Sequence, residues 1–173
     1  NKPGTLVVDE DEVVEHELVS GIAYSRDEAK ITLVKVADRP GVAARIFGPL
    51  ADASVNVDMI VQNVSDDGKA TDLTFTVTRS DLERAVDIIK QNKDDLGYQD
   101  LASDSDVVKV SVIGVGMRSH AGVAQRMFKS LADEGINIQV ISTSEIKVSV
   151  LIAEEFTERA VRALHTVYGL DAE

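Results

Sequence analysis

Cysteine and tryptophan are both absent from this sequence. Without cysteine there is no disulfide framework, no thiolate nucleophile and no Cys-ligated zinc or iron–sulfur centre. Aromatic residues make up only 4%, so the base-stacking platforms of single-strand-binding proteins are poorly supplied. No apolar run approaches the roughly 20 residues that a membrane helix needs, and no secretory signal pattern is present. Positive charge is scarce as well. Lys and Arg number 18 against 30 Asp and Glu, a formal net charge of -12. Such a field repels phosphate backbones and anionic lipid, so no nucleic-acid or membrane-surface partner is expected. What remains is globular: 44% hydrophobic and 28% charged over 173 residues, enough for one domain or two small ones.

The chain repeats itself. Residues 41–52, GVAARIFGPLAD, and 122–133, GVAQRMFKSLAD, are identical at eight of twelve positions. Before them stand two β-branched runs, 30–36 and 109–115, and after them Val55-Asn-Val57 matches Ile136-Asn-Ile138. Ordered matches of this kind mark a duplication. In the first copy, 30–36 reads as a strand, and 41–53 reads as a helix with Val42, Ile46 and Leu50 on one stripe. Pro40 falls at its first turn. Residues 55–64 and 71–78 read as strands around the turn 65–68. A second helix follows, with Ser80 as its expected N-cap, and 98–101 reads as a short last strand. The order is βαββαβ, the α+β ferredoxin-like arrangement of an antiparallel four-stranded sheet with both helices on one face. The second copy predicts strand 107–115, helix 122–134, strands 136–143 and 146–152, and helix 155–168, but no fourth strand. Residues 18–24 form a strand without a copy. The economical expectation is a discontinuous second domain, 18–29 plus 106–173, around a first domain at 30–105. Residues 1–17 would be a polar lead-in.

Catalytic equipment is thin. His16, His120 and His165 show no metal-ligand spacing, and Asp9-Glu-Asp-Glu12 sits in the lead-in. Gly114-Val-Gly116 follows a strand but lacks the fuller dinucleotide pattern. Neither a metal nor a cofactor is expected. The loop Asp38-Arg-Pro-Gly-Val42 is more informative. A helix N-terminus offers unpaired N–H groups and partial positive charge to a small carboxylate. Gly41 lets backbone come close, and Asp38 supplies a charge for an ammonium. Together they suit the two poles of a free amino acid. The plainer alternative is that Asp38 caps the helix and Gly41 serves the turn. Asn56, Asn137 and Gln62 add amides near strand ends that could read a ligand or simply face solvent.

At these residues the sequence resembles the regulatory ACT domains of bacterial aspartate kinase. The likeness is carried by Ser20-Gly-Ile-Ala23, Asp27-Glu-Ala-Lys-Ile-Thr32, Asp38-Arg-Pro-Gly-Val42, Val57-Asp-Met-Ile-Val-Gln-Asn-Val64 and Thr71-Asp-Leu-Thr-Phe-Thr76. The most specific segments are Val115-Gly-Met-Arg-Ser-His-Ala-Gly-Val123 and Asn137-Ile-Gln-Val-Ile-Ser-Thr-Ser-Glu-Ile146. Pro3-Gly-Thr-Leu-Val7 is similar to the close of the family's kinase domain, which implies a chain cut from a longer enzyme. Ala121 stands where many relatives have proline.

The resemblance implies two ACT domains in a cytoplasmic regulatory region. This region would sense threonine, lysine or both for feedback control of an aspartate kinase, without catalysis of its own. It implies a homodimer and a kinase domain as partners. Carried over by position, a threonine-like site would use Asp38, Gly41, Val42, Ala43, Asn56 and Gln62, with Asn137 and Ile138 from a facing second domain. A lysine-like site would use Asp58, Met59, His120, Val123, Ser144 and Glu145. The alternatives are a stand-alone ACT-type amino-acid sensor acting on another enzyme, an RNA-binding ferredoxin-like module, and an acylphosphatase-like hydrolase using Arg39. Net charge opposes the second, and the duplication fits the third poorly.

Overall fold

The computed structural model describes residues 19–64, 69–115 and 122–171. The first strand, β1 (Val19–Ser25), leads into β2 (Ala29–Ala37), α1 (Val42–Asp52), β3 (Asp58–Val64), β4 (Ala70–Val77), α2 (Leu82–Gln91), the single turn α3 (Lys93–Leu96) and β5 (Asp100–Asp104). The second half contains β6 (Val107–Gly114), α4 (Val123–Asp133), β7 (Val140–Thr143), β8 (Lys147–Ala153) and α5 (Thr157–Tyr168). Two antiparallel four-stranded sheets result, with orders β3-β4-β2-β5 and β1-β6-β8-β7. The second order is the first with β1 in the place of β5. Val19–Ser25 therefore pairs antiparallel with β6, Tyr24 opposite Val110, and the copy that lacks a fourth strand borrows one from upstream.

Apolar periodicity explains each layer. Val42, Ile46 and Leu50 are buried on α1, and Val123, Met127 and Leu131 hold the same positions on α4. They pack on Ile31, Leu33, Leu73 and Phe75 in one core, and on Val108, Val110, Val112, Val150 and Ile152 in the other. Phe47 meets Phe75 edge-on at 5.2 Å between centroids, a favourable aromatic geometry.

Several expected boundaries move. Strands read at 55–64 and 136–143 begin only at Asp58 and Val140. Val55 and Ile136 instead turn back to the helices, their N–H groups bonding Leu50 and Leu131 carbonyls. The last strand of the first domain is Asp100–Asp104 rather than 98–101, because Tyr98 is spent on the core. Ser80 is not an N-cap. A 3-10 turn at Arg79–Asp81 precedes α2, with Thr78 at its start and no side-chain cap on either helix. Pro49 lies inside α1. The turn 65–68 lies outside the described residues.

The sheets meet on the faces that their helices leave open. Met59, Val107, Val140 and Leu151 form a third, small apolar cluster there. On the same faces, Thr32 and Thr74 share a hydrogen bond at 2.9 Å, and Ser111 and Ser149 share one at 2.7 Å.

Candidate functional site

The loop from β2 to α1 is shaped by Gly41. It is the N-cap at φ 89°, and no side chain caps the helix. No atom lies within 4 Å of where a Cβ would sit, so the positive φ, not crowding, is the reason for glycine. The Val42 N–H reaches the Arg39 carbonyl at 3.2 Å, and the first bond back to Gly41 comes from Arg45 at 3.1 Å. The amides of Ala43 and Ala44 thus face outward from the first turn, which carries no acid. Asp38 is half-buried beside this end and tied down by its backbone N–H to the Lys69 carbonyl at 3.0 Å. Gln62 pairs opposite Leu73 and shares its helix-covered face, near the end of the sheet where Ala37 pairs with Ala70. Asp38, Gly41, Val42, Ala43 and Gln62 therefore lie at one end of the first domain. Asn56 is exposed at the opposite end, ahead of β3.

Asn137 and Ile138 are elsewhere within the chain. Ile138 lines a cavity of about 350 Å³ together with Val61 and Thr74, which lie on the face of β3 and β4 opposite Gln62. Lys30 of β2 donates to the amide oxygen of Gln139 in the same seam. Of the lysine-like set, Asp58 and Met59 are in this seam, Met59 at φ 47° in a β-bulge. Val123 opens α4, its carbonyl accepting the Tyr168 hydroxyl at 2.6 Å. Ser144 and Glu145 belong to the turn between β7 and β8, where Ser144 N–H bonds the Lys147 carbonyl at 2.8 Å. His120 lies outside the described residues.

The seam holds charges that periodicity did not single out. Lys109 of β6 reaches Glu28 at 2.5 Å and Asp58 at 2.9 Å. Glu28 is buried. Burial alone would raise the Asp58 carboxyl, yet the Lys109 bond and the Met59 N–H hold it below its ordinary value. Burial would likewise lower Lys109, and Glu28 and Asp58 outweigh it and raise the ammonium. Arg79 makes a second clasp, to Glu154 at 2.6 Å and to the Val107 carbonyl at 3.2 Å. In the sequence, Asp58 stood out only through the family resemblance, and Lys109 only as a lysine inside the β-branched run of β6. Among the described residues no group of three or more His, Asp or Glu is placed to hold a metal.

Comparison with known proteins is consistent with this geometry. The ACT domain family matches residues 30–94, and a second ACT domain family matches residues 110–168. The aspartokinase of Pseudomonas aeruginosa is 58% identical over 98% of this chain, and that of Corynebacterium glutamicum is 45% identical over 100%. The chain spans about 42% of the length of these curated relatives. Among solved structures, the aspartokinase alpha and beta subunits match with a TM-score of 0.82 and 49% identity, over 87% of this chain and 99% of that one. The ligand-free regulatory subunit of aspartate kinase from Thermus thermophilus matches with a TM-score of 0.83 and 36% identity, again over 87% and 99%. With two such domains, a borrowed strand and these relatives, the chain belongs to the aspartokinase family, as its regulatory region of paired ACT domains.

Proposed function

We propose that this regulatory region binds a free amino acid, threonine foremost, and in response inhibits an aspartate kinase domain in the cytoplasm. The observation that carries the reading is the open first turn of α1. Its outward amides suit a carboxylate, and Asp38, which does not cap the helix, suits an ammonium. Asn137 and Ile138 join this set from the second domain of a facing chain in a homodimer. The units are 30–105 and 18–29 plus 106–173. The kinase partner makes the aspartyl phosphate, and this part does not. Lysine is the second reading, favoured by Asp58, a carboxylate already suited to an ammonium since it holds that of Lys109. E. coli aspartokinase III, 22% identical with a TM-score of 0.65, has been solved with lysine and aspartate. At that identity the likeness speaks for the fold alone.

The test is calorimetric titration of wild type and Asp38→Ala with threonine. Loss of one charge-assisted contact should weaken binding by roughly tenfold to a hundredfold. Thermal melts should stay unchanged, because no cap is lost. Undiminished threonine affinity in the folded variant would place the effector elsewhere.

A further inference from the structure

The two copies of the repeat can be compared position by position, and they differ in charge on the outer face of their helices. Between α4 and α5 lies a cavity of about 520 Å³, lined by Arg126 and Lys129 from α4 and by Arg159 and Arg162 from α5. A spacing of three places each pair on one helical face. In a chain of net charge -12, four cations around one groove run against the overall composition. Asp133 and Glu134 line the other end. There Lys129 is held by Asp133 at 2.8 Å, and Arg159 donates to the Glu134 carbonyl at 3.2 Å. Tyr168 meets Val123 while Arg159 meets Glu134, so the helices run antiparallel and Arg162 lies between these two contacts. Arg126 and Arg162 have no ion-pair partner among the described residues.

The first copy has the same helices without this charge. Arg45 stands for Arg126, and Gly48 for Lys129. The shared Glu-Arg-Ala-Val at 83–86 and 158–161 sets Arg84 against Arg159 and Asp87 against Arg162. Arg45 is neutralised by Asp95 at 2.9 Å and Arg84 by Asp81 at 2.7 Å. The fold therefore does not need the cations, and placing them together works against stability through like-charge repulsion.

We propose that the α4–α5 groove of the second domain binds a small molecule carrying at least two phosphoryl groups. Guanidinium forks match phosphoryl oxygens two at a time, better than an ammonium does. Two uncommitted forks on opposite helices call for a ligand with more than one such group. The cavity is within the range of about 300–1,000 Å³ usual for small-molecule sites. Asp133 and Glu134 repel an anion from their end and so direct the phosphoryl groups toward Arg126 and Arg162.

Calorimetry on the purified chain at fixed ionic strength tests this, with inorganic tripolyphosphate as probe. Saturable binding of one tripolyphosphate per chain is expected, with orthophosphate weaker by about tenfold. Arg162→Asp, which installs the first-copy residue, and Arg126→Gln should each weaken it by at least about tenfold. Should Arg162→Asp fail to fold, Arg162→Gln serves the same purpose. Arg84→Gln in the first copy and Asp38→Ala should leave it unchanged, which separates this groove from bulk charge and from the amino-acid site. Absence of saturable binding overturns the proposal, and so does equal loss with Arg84→Gln. Citrate bound as tightly as tripolyphosphate, or a preference for a poly-glutamate peptide, does the same by assigning the groove to carboxylates or to an acidic protein surface.

Discussion

Lys109 shows how one side chain joins two domains. Its ammonium lies between the buried carboxylate of Glu28 and the more exposed one of Asp58. Removing one member of a buried pair strands the other, which commonly costs more than the pair contributes. Lys109→Met should therefore destabilise the chain by about 3 kcal/mol. The double change Lys109→Met with Glu28→Gln should recover a large part of that loss in denaturant melts. The pH dependence has a definite sign. Asp58 sits below its ordinary 3.8 in the folded state, so its contribution is present above 3.8 and lost as pH falls through the lower folded value. Lys109 sits above its ordinary 10.5, so its contribution is present below 10.5 and lost as pH rises through the higher one. Melts of wild type against Asp58→Asn should therefore differ at neutral pH and converge in acid.

At the level of the element, the glycine that caps α1 and the glycine inside it have opposite requirements. Gly41 adopts φ 89° at the N-cap. An alanine there meets no neighbour but is forced into the left-handed region, at a cost of about 1 kcal/mol. Gly48 is mid-helix with equal space around it and needs no special φ. Gly48→Ala should stabilise by about 0.5–1 kcal/mol, because the unfolded glycine has more freedom to lose. Thermal melts that shift in opposite directions would confirm that backbone conformation, not packing, decides both. The same elements were readable in the sequence because Val42, Ile46 and Leu50 recur at helical spacing and Leu73, Phe75 and Val77 alternate. Their ends were less readable. Where β3 begins depends on Val55 turning back to Leu50, a contact that periodicity does not encode.

At the scale of the whole molecule, among the described residues both sheets leave edge strands with no further strand paired to them, a feature proteins usually cover. On β3, Ile60 is 50% and Val64 51% exposed. Light scattering at tens of micromolar should report two copies, in keeping with the dimer proposed above. Ile60→Lys with Val64→Lys should shift the chain toward a monomer, since two charges on an apolar edge resist pairing. A dimer unaffected by this pair of changes would place the interface on another edge.

The duplication, the βαββαβ order and the strand missing from the second copy were all decided by the sequence itself. Repeats, apolar period and strand count are properties of contiguous residues. The Asp38–Gly41 loop was legible for the same reason, as proline and glycine mark where a helix begins. Three further things needed the tertiary structure. One is that no side chain caps α1, which separates Asp38 from the cap role. Another is that the sheets pack on their helix-free faces and bring Lys109 to Asp58, 51 residues away in sequence, and to Glu28, which lies further still. The third is that Arg126 and Lys129 face the same cavity as Arg159 and Arg162. An apolar period tells each element which face to bury. Which polar residues meet is settled only when those faces have been buried, because charges follow the positions that packing leaves them.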